Sequence, residues 1–160
     1  MENFIAYNPT KLHFGSGVIK DLGSFTSKLG KKALLVYGGG SVLRNGSYQD
    51  CRDQLDSQHI EVTEFKGIKP NPRVDDVTEA AKLGRAHGVE MVVAVGGGSA
   101  IDSAKIIAIC ISEDCDPWEL MTRKYKPASS LPLVAVLTLA ATGTEMNGVA
   151  VLQNSETGEK

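Results

Sequence analysis

The sequence is poor in cysteine, has no excess of basic residues and lacks long apolar runs. Its three cysteines include no C-x-x-C pair, so the chain fits neither a disulfide framework nor a zinc cluster and favours a reducing compartment. The 17 Lys and Arg residues are outnumbered by 19 Asp and Glu residues, and no basic stripe with interleaved aromatics is present, which argues against nucleic acid as a partner. The longest apolar run, 131–137, contains Pro132 and is too short to span a bilayer. We therefore expect a cytoplasmic protein with no membrane partner.

Short apolar runs alternate with segments of helical period along the chain, which predicts strands alternating with helices. The predicted helices cover residues 18–30, 47–55, the segment from Pro72 to Gly88, and 99–111, and the predicted strands cover 33–37, 60–65, 91–95 and 133–137. This order predicts a doubly wound α/β fold with an open, mostly parallel, Rossmann-like sheet. We also expect an N-terminal strand to pair with a strand at 148–153.

Two glycine-rich turns follow predicted strands, at the edge where doubly wound sheets bind ligands. The segment GGGSAIDSAK, Gly96–Lys105, lies between a buried strand and a buried helix, and its glycines and helix start offer unpaired N–H groups to a phosphate. Gly38–Ser41 forms a second turn of this type. Two such turns fit one extended phosphorylated ligand, so residues 1–160 are predicted to form a dinucleotide-binding domain. The structural alternative is that tight turns need glycine, and that Ser99 and Asp102 form a capping box.

One common motif is missing from both turns. Neither turn matches G-x-G-x-x-G, and no acidic residue stands where the usual Rossmann pattern places one for the ribose. The sequence therefore disfavours an ordinary short-chain or lactate-type dehydrogenase.

Four motifs in a fixed order carry a resemblance to a known family. They are Pro70-Asn71-Pro72, GGGS-x-x-D-x-x-K at 96–105, Asp116-Pro117-Trp118, and the run from Leu137 to Glu145. In this order they resemble the iron-containing (group III) alcohol dehydrogenases, and within them the branch of butanol dehydrogenases and broad-specificity aldehyde reductases. The resemblance covers essentially the whole chain. It implies the nucleotide-binding half of such an enzyme, with the family's helical metal-binding domain absent from residues 1–160.

The resemblance implies a cofactor laid across the strand ends, with its pyrophosphate on Gly97, Gly98 and Ser99. The other implied cofactor-binding residues are Gly38, Gly39, Ser41, Asn71, Asp102, Thr138, Leu139, Thr142, Thr144 and Lys160. In the family's arrangement, Asn71 and the first turn would face the adenosine ribose, and Lys160 would reach a ribose. The structural alternatives are that Asn71 only holds its loop, that Asp102 only caps its helix, and that the threonines only satisfy turn backbone.

The first glycine turn bears on the choice between NADP and NAD. Many relatives place an Asp in this turn to bind the ribose hydroxyls, and this chain has none. Gly38–Gly40 leave room for a 2′-phosphate and Ser41 can donate to it, whereas an Asp would repel that group. We expect a preference for NADP(H), with NAD as the alternative because Arg44 is the only evident basic residue nearby.

Metal binding and catalysis are not assigned to any residue of this chain. Family members hold a divalent metal, iron or zinc, with an Asp and histidines that are commonly arranged as Asp-x-x-x-His. This chain has no such pair, and His13, His59 and His87 fall on separate elements. The resemblance implies that the full-length protein, a homodimer, transfers hydride between the cofactor and a small primary alcohol or aldehyde such as butanol or butanal. The chain alone is expected to bind cofactor without turnover.

Two other functions are open. Dehydroquinate synthase-like lyases share the fold, bind NAD and hold a metal between domains, but Thr142–Glu145 together with Asp116–Trp118 matches the alcohol dehydrogenases better. A non-catalytic nucleotide-binding module of the same topology is the second alternative, and failure to bind any dinucleotide would favour it.

Overall fold

Strands and helices alternate in the computed structural model, which describes residues 3–5 and 7–160. The strands are β1 (Lys32–Tyr37), β2 (Glu61–Lys66), β3 (Met91–Gly96) and β4 (Leu133–Leu137). The α-helices are α1 (Leu22–Thr26), α2 (Ser41–Arg44), α3 (Ser47–Ser57), α4 (Val74–His87), α5 (Gly98–Glu113) and α6 (Pro117–Met121), and 3₁₀ turns cover Val18–Asp21 and Thr144–Met146. Each predicted strand agrees with an observed one to within a residue at either end.

The sheet has the order β2-β1-β3-β4, and all its neighbouring strands are parallel. Successive side chains of β1 point to opposite faces, as the strand period requires. Leu34 and Val36 join one buried cluster with residues of α4 and α5. Ala33 and Leu35 join a second cluster with residues of α1, α2 and α3. Helices cover both faces, so the predicted doubly wound α/β fold is confirmed.

The predicted helix over 18–30 is shorter than expected. Only Leu22–Thr26 is α-helical, and Val18–Asp21 before it is a 3₁₀ turn. At the other end, Lys28 N donates to Phe25 O and Leu29 N donates to Thr26 O. These i to i−3 bonds tighten the chain at both ends and replace regular α-helix.

The expected pairing of an N-terminal strand with a strand at 148–153 is wrong for the described residues; Met1, Glu2 and Ala6 lie outside them. Residues 3–5 and 7–14 are exposed and contain no strand. Asn8 Nδ2 donates to Met146 O, two positions before the segment 148–153, at 2.8 Å. The backbone of 148–153 has other partners. Val151 N donates to Asp102 Oδ2 at 3.1 Å, and Gln153 N donates to Pro72 O at 2.8 Å. Those amides are therefore not available for a ladder with the N-terminal residues.

Across the described part of the chain, no helix combines the length and the apolar character that a membrane span needs.

Candidate functional site

All four parallel strands end at one edge of the sheet, which we call the carboxyl edge. Tyr37 pairs in register with Lys66, and Gly96 pairs with Leu137. The loops that leave these four residues therefore start side by side. In chain order, they carry the predicted residues Gly38, Gly39 and Ser41, then Asn71, then Gly97, Gly98 and Ser99, then Thr138, Leu139 and Thr142.

The turn after β3 leads directly into the start of α5. Gly96 has a φ of 154°, a conformation that residues with a side chain rarely adopt. No side chain caps α5, and within residues 3–5 and 7–160 the N–H groups of Gly98 and Ser99 donate to no protein acceptor. The capping box of Ser99 and Asp102, which was the structural alternative for this turn, is therefore not formed. Two unpaired N–H groups at a helix start form a site that favours an anion.

The loop after β4 lies directly against this turn. A Cβ at Gly98 would lie 2.8 Å from Thr142 Oγ1, and a Cβ at Gly97 would lie 3.8 Å from Leu139 Cβ. Thr138 N donates to Gly96 O at 3.0 Å, which fixes the start of the loop. Because residues 97 and 98 have no side chains, the loop can approach the exposed backbone of the turn. We call the surface formed by the turn at 97–99 together with Leu139 and Thr142 the cradle.

Asp102 and Lys105, one turn apart on α5, hold the next part of the loop. Lys105 Nζ donates to Thr144 Oγ1 at 2.6 Å and to Val149 O at 2.6 Å, and it also lies 3.3 Å from Asn147 Oδ1. Thr144 Oγ1 in turn donates to Asp102 Oδ1. Together these bonds form a polar clamp between α5 and residues 144–149.

The two charged side chains of the clamp are mostly buried. The side chains of Asp102 and Lys105 are 13% and 14% exposed, and Lys105 Nζ lies 3.9 Å from Asp102 Oδ1. Burial lowers the pKa of the Lys105 ammonium from its ordinary value, and the carboxylates of Asp102 and Glu145 act in the opposite direction. The charge is therefore held by a specific set of oxygen atoms rather than by water.

Lys105 is the residue of this site that the sequence analysis did not assign. It stands at the end of the GGGSAIDSAK segment, three positions after Asp102. Residues three apart share one face of a helix, and this spacing is the sequence signal from which Lys105 could have been predicted. The sequence did not reveal that the loop after β4 supplies their partners.

The turn after β1 is more open than the turn after β3. A Cβ at Gly39 would meet no atom within 4 Å, and Ser41 is exposed at the start of α2. Arg44 folds back over the turn, since a Cβ at Gly40 would lie 2.6 Å from its Nη1. The turn therefore has free space beside Gly39 and a guanidinium close by.

Asn71 and Lys160 are brought together although 89 positions separate them. Lys160 Nζ donates to Asn71 Oδ1 at 3.1 Å. Asn71 has a φ of 59° between two prolines, so its backbone turns sharply there. Among the described residues no hydrogen bond joins this pair to either glycine turn.

The histidines do not gather into a metal site. His13 lies against Phe25, with ring centroids 4.2 Å apart. Over residues 3–5 and 7–160, no group of three His, Cys, Asp or Glu side chains is placed to hold a metal ion.

Comparison with known proteins gives the same family as the motifs. A family model for iron-containing alcohol dehydrogenases matches residues 9–160. Probable NADH-dependent butanol dehydrogenase 1 of Bacillus subtilis is 45% identical over 160 residues, which is 100% of this chain and 41% of that protein. The NADPH-dependent aldehyde reductase YqhD of Escherichia coli is 39% identical over 163 residues, again 100% of this chain and 41% of that protein.

Solved structures agree with this result. The NADH-dependent butanol dehydrogenase A of Thermotoga maritima superposes with a TM-score of 0.93 and 44% identity, covering 98% of this chain and 40% of that one. The chain thus spans about 40% of the length of the relatives it matches. The match favours the alcohol dehydrogenases over the dehydroquinate synthase-like alternative. From its motifs, its fold and these relatives, the chain belongs to the iron-containing alcohol dehydrogenase family.

Proposed function

We propose that residues 1–160 form a domain that binds NADP(H) across the carboxyl edge, with NAD(H) as the weaker ligand. The whole protein would be a metal-dependent alcohol dehydrogenase acting on small primary alcohols or aldehydes such as butanol and butanal. The observation that carries the proposal is the pair of unpaired N–H groups of Gly98 and Ser99 at the start of α5, with Thr142 beside Gly98.

The residues of the cradle fit a pyrophosphate. The N–H groups of Gly98 and Ser99 can donate to phosphate oxygens, and the dipole of α5 adds about half a unit of positive charge at this end. A Cβ at Gly98 would fill the space against Thr142 Oγ1. Leu139, next to Gly97, is 64% exposed, so an apolar side chain is available there to contact a flat part of the cofactor.

The preference for NADP(H) rests on the turn after β1. Free space beside Gly39, the hydroxyl of Ser41 and the guanidinium of Arg44 favour a 2′-phosphate, because a phosphate needs donors and opposite charge. The names of the relatives include both NADH-dependent and NADPH-dependent enzymes. The proposed preference for NADP(H) therefore depends on Gly39, Ser41 and Arg44.

A bound nicotinamide supplies the hydride acceptor or donor of the reaction. In this proposal, the cradle fixes the cofactor's diphosphate, the clamp formed by Asp102 and Lys105 keeps the loop after β4 in position, and Asn71 with Lys160 faces a ribose.

The divalent metal, iron or zinc, would be held by ligands outside residues 1–160, because the described residues provide no ligand set for it. The chain alone would then bind cofactor without turnover. We further propose a cytoplasmic homodimer for the whole protein.

Fluorescence titration with NADPH and with NADH tests the cofactor proposal. We expect both to bind, with NADPH tighter by about ten-fold, or roughly 1.4 kcal/mol. Tighter binding of NADH than of NADPH would overturn the proposed cofactor preference. If neither cofactor binds, the domain has a function other than dinucleotide binding. Loss of NADPH absorbance on addition of butanal to the metal-loaded whole protein tests the activity.

A further inference from the structure

Two cysteine sulfurs meet where α5 ends. Asp114, the residue after Glu113, has a left-handed conformation with φ 49° and ψ 42°. After a helix that ends in this way, the residue following the left-handed one frequently contacts the residue five positions before itself. Here those two residues are Cys115 and Cys110, and their Sγ atoms lie 3.6 Å apart. The left-handed turn at Asp114 thus separates two cysteines whose sulfurs are in contact.

A neighbouring helix fixes this turn. Arg85 of α4 donates from Nη1 to Cys110 O, and its Nη2 lies 2.8 Å from Asp114 Oδ1. One guanidinium thus bridges the backbone of the first cysteine and the side chain of the left-handed residue. Both cysteines are held on a turn whose shape does not depend on α5 alone.

We propose that Cys110 and Cys115 are a modification site, at which a hydroperoxide converts the two thiols into a reversible intramolecular disulfide. A disulfide requires an Sγ–Sγ distance near 2.05 Å, so the sulfurs must approach by roughly 1.5 Å from their present 3.6 Å. Rotation of the side chain of the partly exposed Cys115 is the movement that the proposal requires. The proposal goes beyond the dehydrogenase function and does not depend on it.

The two thiols have different surroundings, which assigns their roles. Cys110 is 1% exposed, and burial raises the pKa of its thiol. Cys115 is only partly buried and can be reached from solvent. Because the thiolate is the reacting form and needs access to the oxidant, Cys115 is the group that meets the hydroperoxide.

The oxidation of the two thiols to a disulfide proceeds in two steps. The Cys115 thiolate attacks one peroxide oxygen, so an S–O bond forms, the O–O bond breaks, and the other oxygen leaves as an alcohol or water. Cys110 then loses its proton as its sulfur attacks Cys115 Sγ; the S–S bond forms, the S–O bond breaks, and water leaves. A low-molecular-weight thiol returns the two electrons and restores both thiols.

The third cysteine is an internal control. Cys51 is fully buried on α3, and in the described residues no hydrogen bond joins it to another sulfur. The cysteine pair is also remote from the cradle, since Cys110 lies twelve positions after Gly98 on α5, or about 18 Å at the rise of an α-helix. Oxidation at the pair can therefore be followed separately from cofactor binding.

Peptide mass analysis of the intact protein tests the proposal directly. Trypsin cleaves after Lys105 and Arg123, so both cysteines fall on the peptide 106–123 and Cys51 falls on another. After hydrogen peroxide treatment, denaturation and alkylation, we expect peptide 106–123 to lose two hydrogens and take up no alkyl group. Dithiothreitol added before alkylation should restore two alkyl groups, and Cys51 should be alkylated throughout.

Variants distinguish a paired disulfide from simple oxidation of an exposed thiol. Cys110→Ser should leave Cys115 to accumulate sulfinic and sulfonic acids, which the natural pair avoids. Asp114→Gly, which still favours the left-handed turn, should form the disulfide, whereas Asp114→Val, which disfavours positive φ, should form it at least several-fold more slowly. Circular dichroism must show that each variant is folded. A natural protein whose peptide 106–123 keeps two alkyl groups, gains oxygen at Cys115, or is cross-linked between chains would overturn the proposal.

Discussion

Lys105 Nζ and Thr144 Oγ1 are 2.6 Å apart, although 39 positions separate the two residues. This bond joins the helix that follows the β3 turn to the loop that follows β4. Thr142, two positions before Thr144, is the side chain that a Cβ at Gly98 would meet. The clamp therefore sets the distance between the two walls of the cradle.

Lys105→Met should weaken NADPH binding by about ten-fold, because the loop after β4 loses the donor for Thr144 and Val149. The free energy of unfolding should fall by about 2 kcal/mol, since hydrogen bonds from a charged group are lost at a mostly buried site. Titration and urea unfolding measure the two effects. Lys82→Met, on an exposed position of α4, is the matched control and should change neither.

A conservative variant separates positioning from bulk stability in the same experiment. Lys105→Arg keeps the charge and the donors, so it should recover part of the lost affinity. If Lys105→Met lowers stability while the dissociation constant of NADPH stays the same, Lys105 has no role in positioning the site.

Gly98→Ala should also weaken NADPH binding, by about ten-fold or more, because the new Cβ would lie 2.8 Å from Thr142 Oγ1 and push the cradle apart. The same close contact should lower the free energy of unfolding. The double variant Gly98→Ala with Thr142→Ala lacks the Thr142 atoms nearest to the new Cβ, so it should recover much of that stability. Gly39→Ala is a useful comparison because a Cβ there meets no atom within 4 Å. Equal affinities for the Gly98→Ala and natural proteins would exclude a diphosphate at this turn.

Gly39→Asp should reverse the cofactor preference. A Cβ at Gly39 would meet no atom within 4 Å, and the carboxylate of an aspartate there would repel a 2′-phosphate while accepting hydrogen bonds from ribose hydroxyls. We expect NADPH to bind about ten-fold more weakly and NADH to bind as well or better, as measured by parallel titrations. Gly39→Asn has nearly the same shape without the charge, so it should change the ratio much less. A variant with an unchanged NADPH to NADH ratio would place the adenosine ribose elsewhere.

Glu90 should give the protein a defined loss of stability in acid. Its carboxylate accepts from Lys31 N and, at 3.1 Å, from Lys32 N, and these bonds, the one from Lys31 first, lower the pKa of Glu90 from its ordinary value of 4.5. A lowered folded-state pKa contributes stability that is present above pH 4.5 and is lost as the pH falls through the folded-state pKa. Urea unfolding of the natural protein and of Glu90→Gln should therefore differ near neutral pH and converge in acid. Parallel curves over the whole range would contradict this.

Local sequence determined the order and bounds of the strands. Met91 to Val95 and Leu133 to Leu137 are apolar runs bounded by glycine, proline or polar residues, and each became a strand whose bounds agree to within one residue. Gly88 ends α4 with φ 61°, as a glycine after a helical segment predicts. These features depend on residues close in the chain, so they can be predicted without knowing the fold.

Features that depend on distant partners were predicted less well. Asp102 has the spacing of a capping residue after Ser99, yet it accepts hydrogen bonds from Thr144 and Val151. Asp102 can act as a local cap or accept from distant donors, and its partner depends on how the loop after β4 packs on α5. The failed pairing of 148–153 has the same cause, since the Val151 amide is bound to Asp102.

The family, the alternation of strands and helices, and the two glycine turns could be predicted from residue type and spacing. The contact of Thr142 with the turn at Gly98, the hydrogen bonds from Lys105 to the loop after β4, and the bond from Lys160 to Asn71 emerged only from the folded chain. The physical reason is that hydrogen bonds and close packing between segments depend on where the parallel sheet delivers each loop, and that position is set by the whole fold rather than by neighbours in the chain.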